Sequence, residues 1–334
     1  MRKSFSTVNH RFPLAARASL GLCAAALAFG AIAIDQWAPA VGGTVTRNNQ
    51  GGVTGLSFRS TWIGDDDLTP VGTVTTLKTL DLSHTRITDL GFQKLKNLPA
   101  VEEVNLYYAE QIGDGALVIM KNWKNLKRVN LRGTKVTDLG VAQLAGHPSL
   151  EYIDVGYSLF TDNGFESLSS IPKLKGIAVG GNKLTDVGLN VMRLVPALEV
   201  LDLAGAQRTD SGLWAAVITD KGLQTIGQLK NLKELNLKAS KLTDAGMPNL
   251  SALSELRVLN IAQTNLTPAG LKALAALPKL EKLTLHKCDR IDDEAVAVLS
   301  TMRSLKWLDI QETKITPEGA AKIASALPAA RLQK

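Results

Sequence analysis

Apolar residues recur along this chain in one pattern of fixed length, Leu-x-x-Leu-x-Leu or a close variant of it. The pattern begins ten times, and its starts are 24 or 25 residues apart except for one interval of 34. The starts are Leu77, Val101, Leu126, Leu150, Leu174, Leu198, Leu232, Leu256, Leu280 and Leu305. Such self-similarity at a fixed period predicts a solenoid of stacked units.

The hydrophobic period changes halfway through each unit. The first half alternates apolar and polar residues, which predicts a strand, and the second half spaces them as in Leu271, Leu274 and Leu277, which predicts a short helix. Neither element can bury its apolar face alone, but stacked units cover one another. We therefore expect an α/β solenoid with a parallel sheet on its concave face and short helices on its convex face.

The motif Thr-Asp-x-Gly-Leu marks the start of the predicted helices. Proline replaces the aspartate after Thr267 and Thr316, and proline is favoured at the first helical position. The threonine is therefore predicted to be the N-cap, whose hydroxyl accepts from an unpaired backbone N–H. The aspartate that follows suits the positive end of the helix dipole.

The one long interval contains this motif twice, as TDSGL at 209–213 and TDKGL at 219–223. The first copy keeps the usual distance from the strand before it, and the second copy keeps the usual distance from the strand after it. This predicts a ten-residue insertion near 209–218, at the strand-to-helix corner. Either Trp214 is exposed there as a partner contact, or Leu213, Trp214, Val217 and Ile218 form an extra half-turn packed on the neighbouring unit.

Units such as LKTLDLSHTRITDLGFQKLKNLPA (77–100) resemble the leucine-rich repeat family over residues 53–327. A degenerate unit at 53–76 is expected to cap the solenoid, with ten repeats over 77–334. The resemblance implies a non-catalytic module that binds a protein or peptide on its concave face. The repeats are also similar to those of uncharacterised bacterial membrane-anchored proteins and of F-box proteins in ubiquitin ligases, although residues 1–52 contain no F-box.

The N-terminus predicts a membrane-targeting segment. Residues 1–17 contain four Lys or Arg and no acid, and residues 18–34 carry no charge. The uncharged run is either a transmembrane anchor or a signal peptide cleaved near Ala38-Pro39-Ala40. The long basic segment and the proline favour an anchor, with residues 1–17 cytoplasmic and the repeats extracytoplasmic; cleavage would make the protein secreted. Residues 35–52 are predicted to be a linker.

Charge and cysteine content narrow the possible functions. The net charge of +7 falls to +4 without Arg2, Lys3, Arg11, Arg17 and Asp35, which is too small to indicate nucleic-acid binding. Cys23 lies in the apolar segment, so Cys288 has no disulfide partner in the exported body and is expected to be buried. No cofactor motif, metal-ligand spacing or catalytic constellation is evident, so we expect no cofactor, no metal and no enzymatic activity.

The third, fifth and seventh positions of each strand segment are expected to face the concave groove. All four tyrosines fall on these positions or the next one, with two arginines between them, and Tyr and Arg are enriched in binding hot spots. The predicted partner-binding residues are Tyr107, Tyr108, Arg128, Arg132, Tyr152 and Tyr157, with Trp214 and Trp307 as further candidates. The glycines beside them, Gly156, Gly176, Gly180 and Gly181, predict an open floor on which a partner could lie.

Aspartates at the fifth position raise the question of a metal site. The nearest pair, Asp154 and Asp202, is two strands apart, about 10 Å, which is too far for one shared ion. These side chains are therefore expected to make hydrogen bonds or to face solvent. An architectural envelope protein without a specific ligand remains an alternative to the binding module.

Overall fold

The computed structural model describes residues 33–334. Within them, almost every unit contributes one strand to a single long sheet. It has thirteen strands in the order β1-β2-β3-β4-β5-β6-β7-β9-β12-β13-β14-β15-β16. All neighbouring strands run parallel except β1 and β2, which are antiparallel to each other. The strands are β1 (Thr44–Arg47), β2 (Val53–Ser57), β3 (Thr79–Asp81), β4 (Glu103–Asn105), β5 (Arg128–Asn130), β6 (Tyr152–Asp154), β7 (Gly176–Ala178), β9 (Val200–Asp202), β12 (Glu234–Asn236), β13 (Val258–Asn260), β14 (Lys282–Thr284), β15 (Trp307–Asp309) and β16 (Arg331–Gln333).

Short helices fill the second half of most units. They are α1 (Ile34–Ala40), α2 (Leu68–Val71), α3 (Asp89–Phe92), α4 (Asp114–Met120), α5 (Asp138–Ala142), α6 (Gly164–Ser169), α7 (Asp186–Leu189), α8 (Asp220–Ile226), α9 (Pro268–Leu271), α10 (Ala295–Leu299) and α11 (Pro317–Ala326). Short 3-10 helices occupy Asp65–Asp67, Gln93–Leu95, Asn190–Leu194, Met247–Ala252 and Leu274–Ala276. Most helices span one or two turns.

The core is continuous from the first unit to the last. In the three-residue strands from β3 to β15 the middle residue points inward and is buried, as Leu80, Val129 and Leu283 are. The inward leucines of each unit pack against those of the next in a single cluster. The predicted stacking, with a parallel sheet opposite the helices, is confirmed.

The aspartate of the Thr-Asp motif links each unit to the next one. Asp138 accepts a hydrogen bond from the backbone N–H of Thr161 at 2.8 Å and another from its hydroxyl at 2.5 Å. Thr161 is the threonine of the following unit. Equivalent pairs connect Asp65, Asp114, Asp162, Asp186, Asp220, Asp244 and Asp293 to the threonine of the next unit. The threonine also caps its own helix, as predicted, for example at Thr137, whose hydroxyl accepts from Leu139 N–H.

This aspartate ladder also explains the glycine of the motif. A β-carbon at Gly140 would lie 2.2 Å from Oδ1 of Asp114, and one at Gly246 would lie 2.2 Å from Oδ1 of Asp220. Any larger side chain would therefore displace the carboxylate of the preceding unit. The motif Thr-Asp-x-Gly is a contact between two units, because the glycine makes room for the carboxylate that the threonine binds.

The insertion forms a β-hairpin between β9 and α8. Strand β10 (Ala206–Thr209) pairs with β11 (Gly212–Val217) in antiparallel fashion, and β11 pairs with β8 (Leu184–Thr185) in parallel fashion. Thr219 caps α8 and binds Asp186, so the second copy of the motif continues the ladder. The first copy lies at the hairpin turn, and the alternative of an extra half-turn is wrong because Leu213, Trp214 and Val217 belong to a strand.

The N-terminal end differs from the linker expected at 35–52. Helix α1 covers the end of the core: Trp37 is 4% exposed, and its ring lies 5.5 Å from that of Phe58. Strand β1 then pairs with β2, and Arg47 forms an ion pair with Asp35 of α1. The sequence did not reveal this cap, because residues 35–52 are largely polar, α1 contains Pro39, and only two side chains of α1 are buried.

The predicted membrane segment cannot be located in this structure. Residues 18–32 lie outside the described residues, and so do the basic segment 1–17 and Cys23. From residue 33 onward, none of the helices is both long enough and apolar enough to span a bilayer. The sheet also gains two strands that were not predicted: β1, in the expected linker, and β16, which pairs with β15 after the last helix.

Candidate functional site

A groove of about 470 Å³ lies on the sheet face opposite the helices, here called the concave face. It extends across the sheet from β1 to β9 and is lined by the third and fifth positions of successive units. Because strands in register place equivalent residues side by side, Glu103, Arg128 and Tyr152 are consecutive neighbours along one wall.

Arg128 and Tyr152 form a stack on this wall. The Arg128 guanidinium carbon lies 3.8 Å from the centroid of the Tyr152 ring. Arg128 Nε also lies 3.7 Å from Oε1 of Glu103, and both of these side chains are about half exposed. A β-carbon at Gly176 would lie 2.2 Å from Cδ1 of Tyr152, so the ring covers that glycine. The stack is thus held from beneath, with Arg128 exposed to solvent and Tyr152 partly buried.

A second aromatic group lies one unit towards the N-terminus. The rings of Tyr107 and Tyr108 are 4.7 Å apart in an edge arrangement, and His84 lies 5.2 Å from Tyr107 and 5.8 Å from Tyr108. The backbone of Tyr108 has φ of 51°, and its ring covers Gly133. Burial and the neighbouring Tyr107 raise the pKa of the Tyr108 hydroxyl, which therefore stays protonated at neutral pH.

Arg132 has a different environment from Arg128. Its Nε donates to Oδ2 of Asp154 at 2.9 Å, its Nη2 lies 3.6 Å from Oδ2 of Asp202, and its side chain is only 17% exposed. Its guanidinium also lies over Tyr157 at 5.3 Å. Burial raises the pKa of Asp202, and the N–H of Ala204 and the charge of Arg132 offset part of this increase. Arg132 therefore cross-links three units.

The glycine row does not form the open floor that was expected. Tyrosine rings already cover it: Tyr152 lies over Gly176, and Tyr157 lies over both Gly181 and Gly205. A β-carbon at Gly180 would lie 1.7 Å from the carbonyl oxygen of Ala204, so this glycine is required by the neighbouring backbone. The expectation was wrong because each small residue accommodates a side chain or backbone atom of an adjacent unit.

The fifth-position row makes hydrogen bonds to its own chain. Asp81, Asn130 and Asp154 each accept from the backbone N–H two residues later, at 2.8 to 3.0 Å. These bonds close the turn that ends each strand. Among residues 33–334, no three His, Cys, Asp or Glu side chains are placed so that they could share a metal ion.

The two tryptophan candidates lie away from the tyrosines. Trp214 is half-buried in the hairpin, where its Nε1 donates to Ser211 Oγ at 2.8 Å. Trp307 lies on the concave face under the ammonium of Lys282, at 4.4 Å. Six strand spacings, about 29 Å along the sheet, separate it from Tyr152.

Comparison with known proteins agrees with the repeat fold. The family model described as Leucine Rich repeat matches residues 75–96, 254–275 and 301–324. The chain is a leucine-rich repeat protein. A crystal structure of an internalin, InlF, from Listeria monocytogenes is similar to it, with 18% identity, a TM-score of 0.57, and coverage of 84% of this chain and 86% of that one.

Two further solved structures share less of their length with this leucine-rich repeat protein. The PEPR1–AtPEP1 structure has 16% identity and a TM-score of 0.48, and covers 85% of this chain and 42% of that one. A plant peptide hormone receptor, RGFR1 in complex with RGF2, has 13% identity and a TM-score of 0.41, with 81% and 56% covered. A search of curated proteins by sequence returned no match. At these identities the similarity establishes the fold alone.

Sequence reasoning on this leucine-rich repeat protein missed the pairing of tyrosines with glycines, although a signal existed. Tyr152 and Gly176 are 24 residues apart, as are Tyr157 and Gly181, and Tyr108 precedes Gly133 by 25. One repeat length between a ring and a glycine at equivalent positions indicates that the ring lies over the glycine. It also missed Trp62, which is 76% exposed, and the contribution of His84 to the aromatic group.

Cys288 is buried, as expected for a structural residue. Its Sγ lies 3.3 Å from the carbonyl oxygen of Ile261, and burial raises the pKa of the thiol. It takes the place of threonines such as Thr134 and Thr264, whose hydroxyls donate to the carbonyl three residues earlier. The thiol is therefore protonated and enclosed.

Proposed function

We propose that this protein is a non-catalytic interaction module that binds a protein or peptide on its concave face, at the Arg128–Tyr152 stack. The observation that carries the proposal is an exposed guanidinium stacked over a partly exposed ring, on the wall of a groove that crosses several repeat units. Tyrosine and arginine supply large contact areas in binding hot spots. The resemblance to leucine-rich repeats implies a ligand of the same class.

The geometry makes these two side chains good anchors. Tyr152 is fixed between Gly176 beneath it and Arg128 above it, so little conformational entropy is lost when a partner covers the ring. Arg128 keeps donors exposed, because its side chain is half exposed and contacts Glu103 only through Nε, at 3.7 Å, among the described residues. A partner carrying a carboxylate or carbonyl beside an apolar side chain would complement this wall.

The predicted site residues divide into two roles under this proposal. Arg128, Tyr152 and Tyr107 contact the partner, because Arg128 and Tyr152 line the groove and Tyr107 lies on the next unit beside it, with both rings partly exposed. Arg132, Tyr157 and Tyr108 position them, since Arg132 is held by two carboxylates and the two rings rest on glycines. Trp214 and Trp307 belong to other surfaces.

We further propose that residues 18–34 hold the module at a membrane, with the repeats on the extracytoplasmic side. This follows from the uncharged run and the four basic residues before it. The architectural alternative, a solenoid without a ligand, predicts that no peptide is bound selectively.

The test uses a random peptide display library selected on the full-length protein. Binding of the selected peptides is then measured on Tyr152→Ala and Arg128→Ala. The matched control is Trp307→Ala, which removes the same kind of cation–ring pair at the same strand position six units away. We expect at least a tenfold loss of affinity for the first two variants and less than a twofold change for the control. Equal effects at both stacks, or no enriched peptide, would refute the proposal.

A further inference from the structure

One edge of the solenoid is unusually apolar. Nine large hydrophobic side chains are exposed among residues 33–334, and seven of them lie where the chain passes from a strand to the following helix, within the first seven units. Six of these residues are here called the apolar edge: Trp62, Leu90, Leu139, Leu159, Val187 and Val217. The seventh, Leu213, lies on the same hairpin strand as Val217, four residues before it.

The backbone fixes these side chains outward. Leu139 is the second residue of α5, directly after the cap and ladder positions, and it is 76% exposed while Val141 of the same helix is buried. Leu159 forms a bridge with Thr137, and Val217 pairs with Thr185 in the small lateral sheet. The apolar edge is therefore part of the ordered frame of the solenoid.

Later units carry polar or small residues at the same positions. The equivalents of Leu159 and Val217 are Lys241, Asn265, Arg290 and Lys314, and those of Leu139 and Val187 are Ala245, Ala269, Glu294 and Glu318. The repeat framework thus does not require apolar side chains here. An exposed apolar row about 29 Å long, from the unit of Trp62 to that of Val217, marks a contact surface.

The charges on this edge favour a lipid surface. Arg86 lies over the Trp62 ring at 4.6 Å, and Lys135 and Lys183 lie between the apolar residues. Within the described chain, none of these three cations has a carboxylate within 4.0 Å. The ladder aspartates lie on the same edge, but Asp114 and Asp138 are held by the N–H and hydroxyl of the next threonine, and Asp89 by three backbone N–H groups. The exposed Asp66 forms an ion pair with Lys94. Trp, Arg, Lys and aliphatic side chains together are typical of bilayer interfaces.

We propose that the apolar edge rests on the surface of a lipid bilayer. The path of the chain supports this partner over a protein. Helix α1 begins at Ile34, the last residue of the uncharged run 18–34, and Trp37 fixes α1 to the first unit. A β-carbon at Gly42, just after α1, would lie 3.5 Å from Cγ2 of Thr61, the neighbour of Trp62.

A bilayer that holds residues 18–34 therefore lies beside the unit that carries Trp62. With that unit against the membrane and the apolar edge on its surface, the concave face is directed sideways and stays open to a partner. This inference rests on the predicted membrane segment and is independent of the peptide site.

The experiment measures tryptophan fluorescence of the full-length chain in phosphatidylcholine vesicles that contain lipid brominated near the headgroup. Bromine quenches only those rings that reach the acyl region. We expect quenching in the wild type, loss of more than half of it in Trp62→Phe, and unchanged quenching in Trp307→Phe. Circular dichroism confirms that each variant is folded.

A second pair of variants tests the rest of the edge. Leu139→Ser combined with Val187→Ser should reduce the quenching of Trp62 at least twofold, whereas Leu194→Ser, equally exposed but away from the edge, should not change it. Absence of quenching, or equal quenching in wild type and Trp62→Phe, would overturn the proposal. Equal effects of the edge and control variants would also overturn it.

Discussion

The duplicated Thr-Asp motif allows the aspartate ladder to be tested with a control inside the same protein. Asp220 accepts from the N–H of Thr243 at 2.9 Å and from its hydroxyl at 2.5 Å. Asp210 has the same local sequence, but it lies in the hairpin turn and is exposed. We therefore expect Asp220→Ala to destabilise the solenoid and Asp210→Ala to leave it unchanged.

The magnitude follows from the bonds that are lost. Hydrogen bonds to charged groups contribute about 1.5–3 kcal/mol each. Thr243 is exposed, so water can replace part of the hydrogen bonding that the carboxylate provides. The free energy of unfolding should therefore fall by about 2 kcal/mol in Asp220→Ala. For Asp210→Ala, a surface substitution, the change in the free energy of unfolding should be within about 0.5 kcal/mol.

Hydrogen exchange of backbone amides is the appropriate assay, because long repeat arrays need not unfold in one step. A local loss of about 2 kcal/mol corresponds to roughly 30-fold faster exchange of the Thr243 amide. Urea unfolding followed by circular dichroism gives the overall effect. If the Thr243 amide exchanges at the same rate in Asp210→Ala and Asp220→Ala, the ladder does not hold adjacent units together.

Three further predictions concern other parts of the frame. Gly140→Ala should destabilise the protein by about 1–3 kcal/mol in urea unfolding, because its β-carbon would lie 2.2 Å from Asp114; an unchanged midpoint would contradict the steric account. Trp37→Ala should cost about 3–5 kcal/mol and speed exchange around Phe58, because it opens the end of the core; loss of protection elsewhere instead would argue against a cap. Burial lowers the pKa of His147, so the folded state disfavours its protonation and stability should fall as pH drops below about 6.5 towards the folded-state pKa. His147→Gln should flatten that pH dependence of the unfolding midpoint, and an identical slope would assign it to other groups.

The sequence was sufficient for the features that repeat. Periodicity placed all ten predicted strands, and the substitution of Pro268 and Pro317 for aspartate identified the threonine before each as a cap. These features depend on neighbouring residues or on the spacing of apolar residues. Because the chain contains many copies of the repeat, comparing the copies reveals both.

Contacts between units were not predicted, because they join residues about one repeat apart. The carboxylate of Asp138 was assigned to the dipole of its own helix, whereas it binds Thr161 of the next unit. Gly176 was taken as empty surface, whereas the ring of Tyr152 covers it. In both cases the partner is 23 or 24 residues away, and only the stacked structure brings the two together.

Single-copy features were the hardest to predict. The hairpin at 206–217 was expected to be a loop or a half-turn, since one copy offers no periodicity to show that Trp214 pairs as a strand residue. The cap helix α1 was similarly taken as linker. Arg128 and Arg132 looked equivalent, but the spacing of Asp154 and Asp202 buries one of them and leaves the other exposed.

The central claim, that the Arg128–Tyr152 wall of the concave face receives the partner, is tested most directly by a hydrogen-exchange footprint. The full-length protein is compared with and without a selected peptide. The account predicts added protection at β4, β5 and β6 and none at β14 and β15. Protection centred on Trp307, or on the hairpin at 206–217, with β5 and β6 unchanged would contradict it.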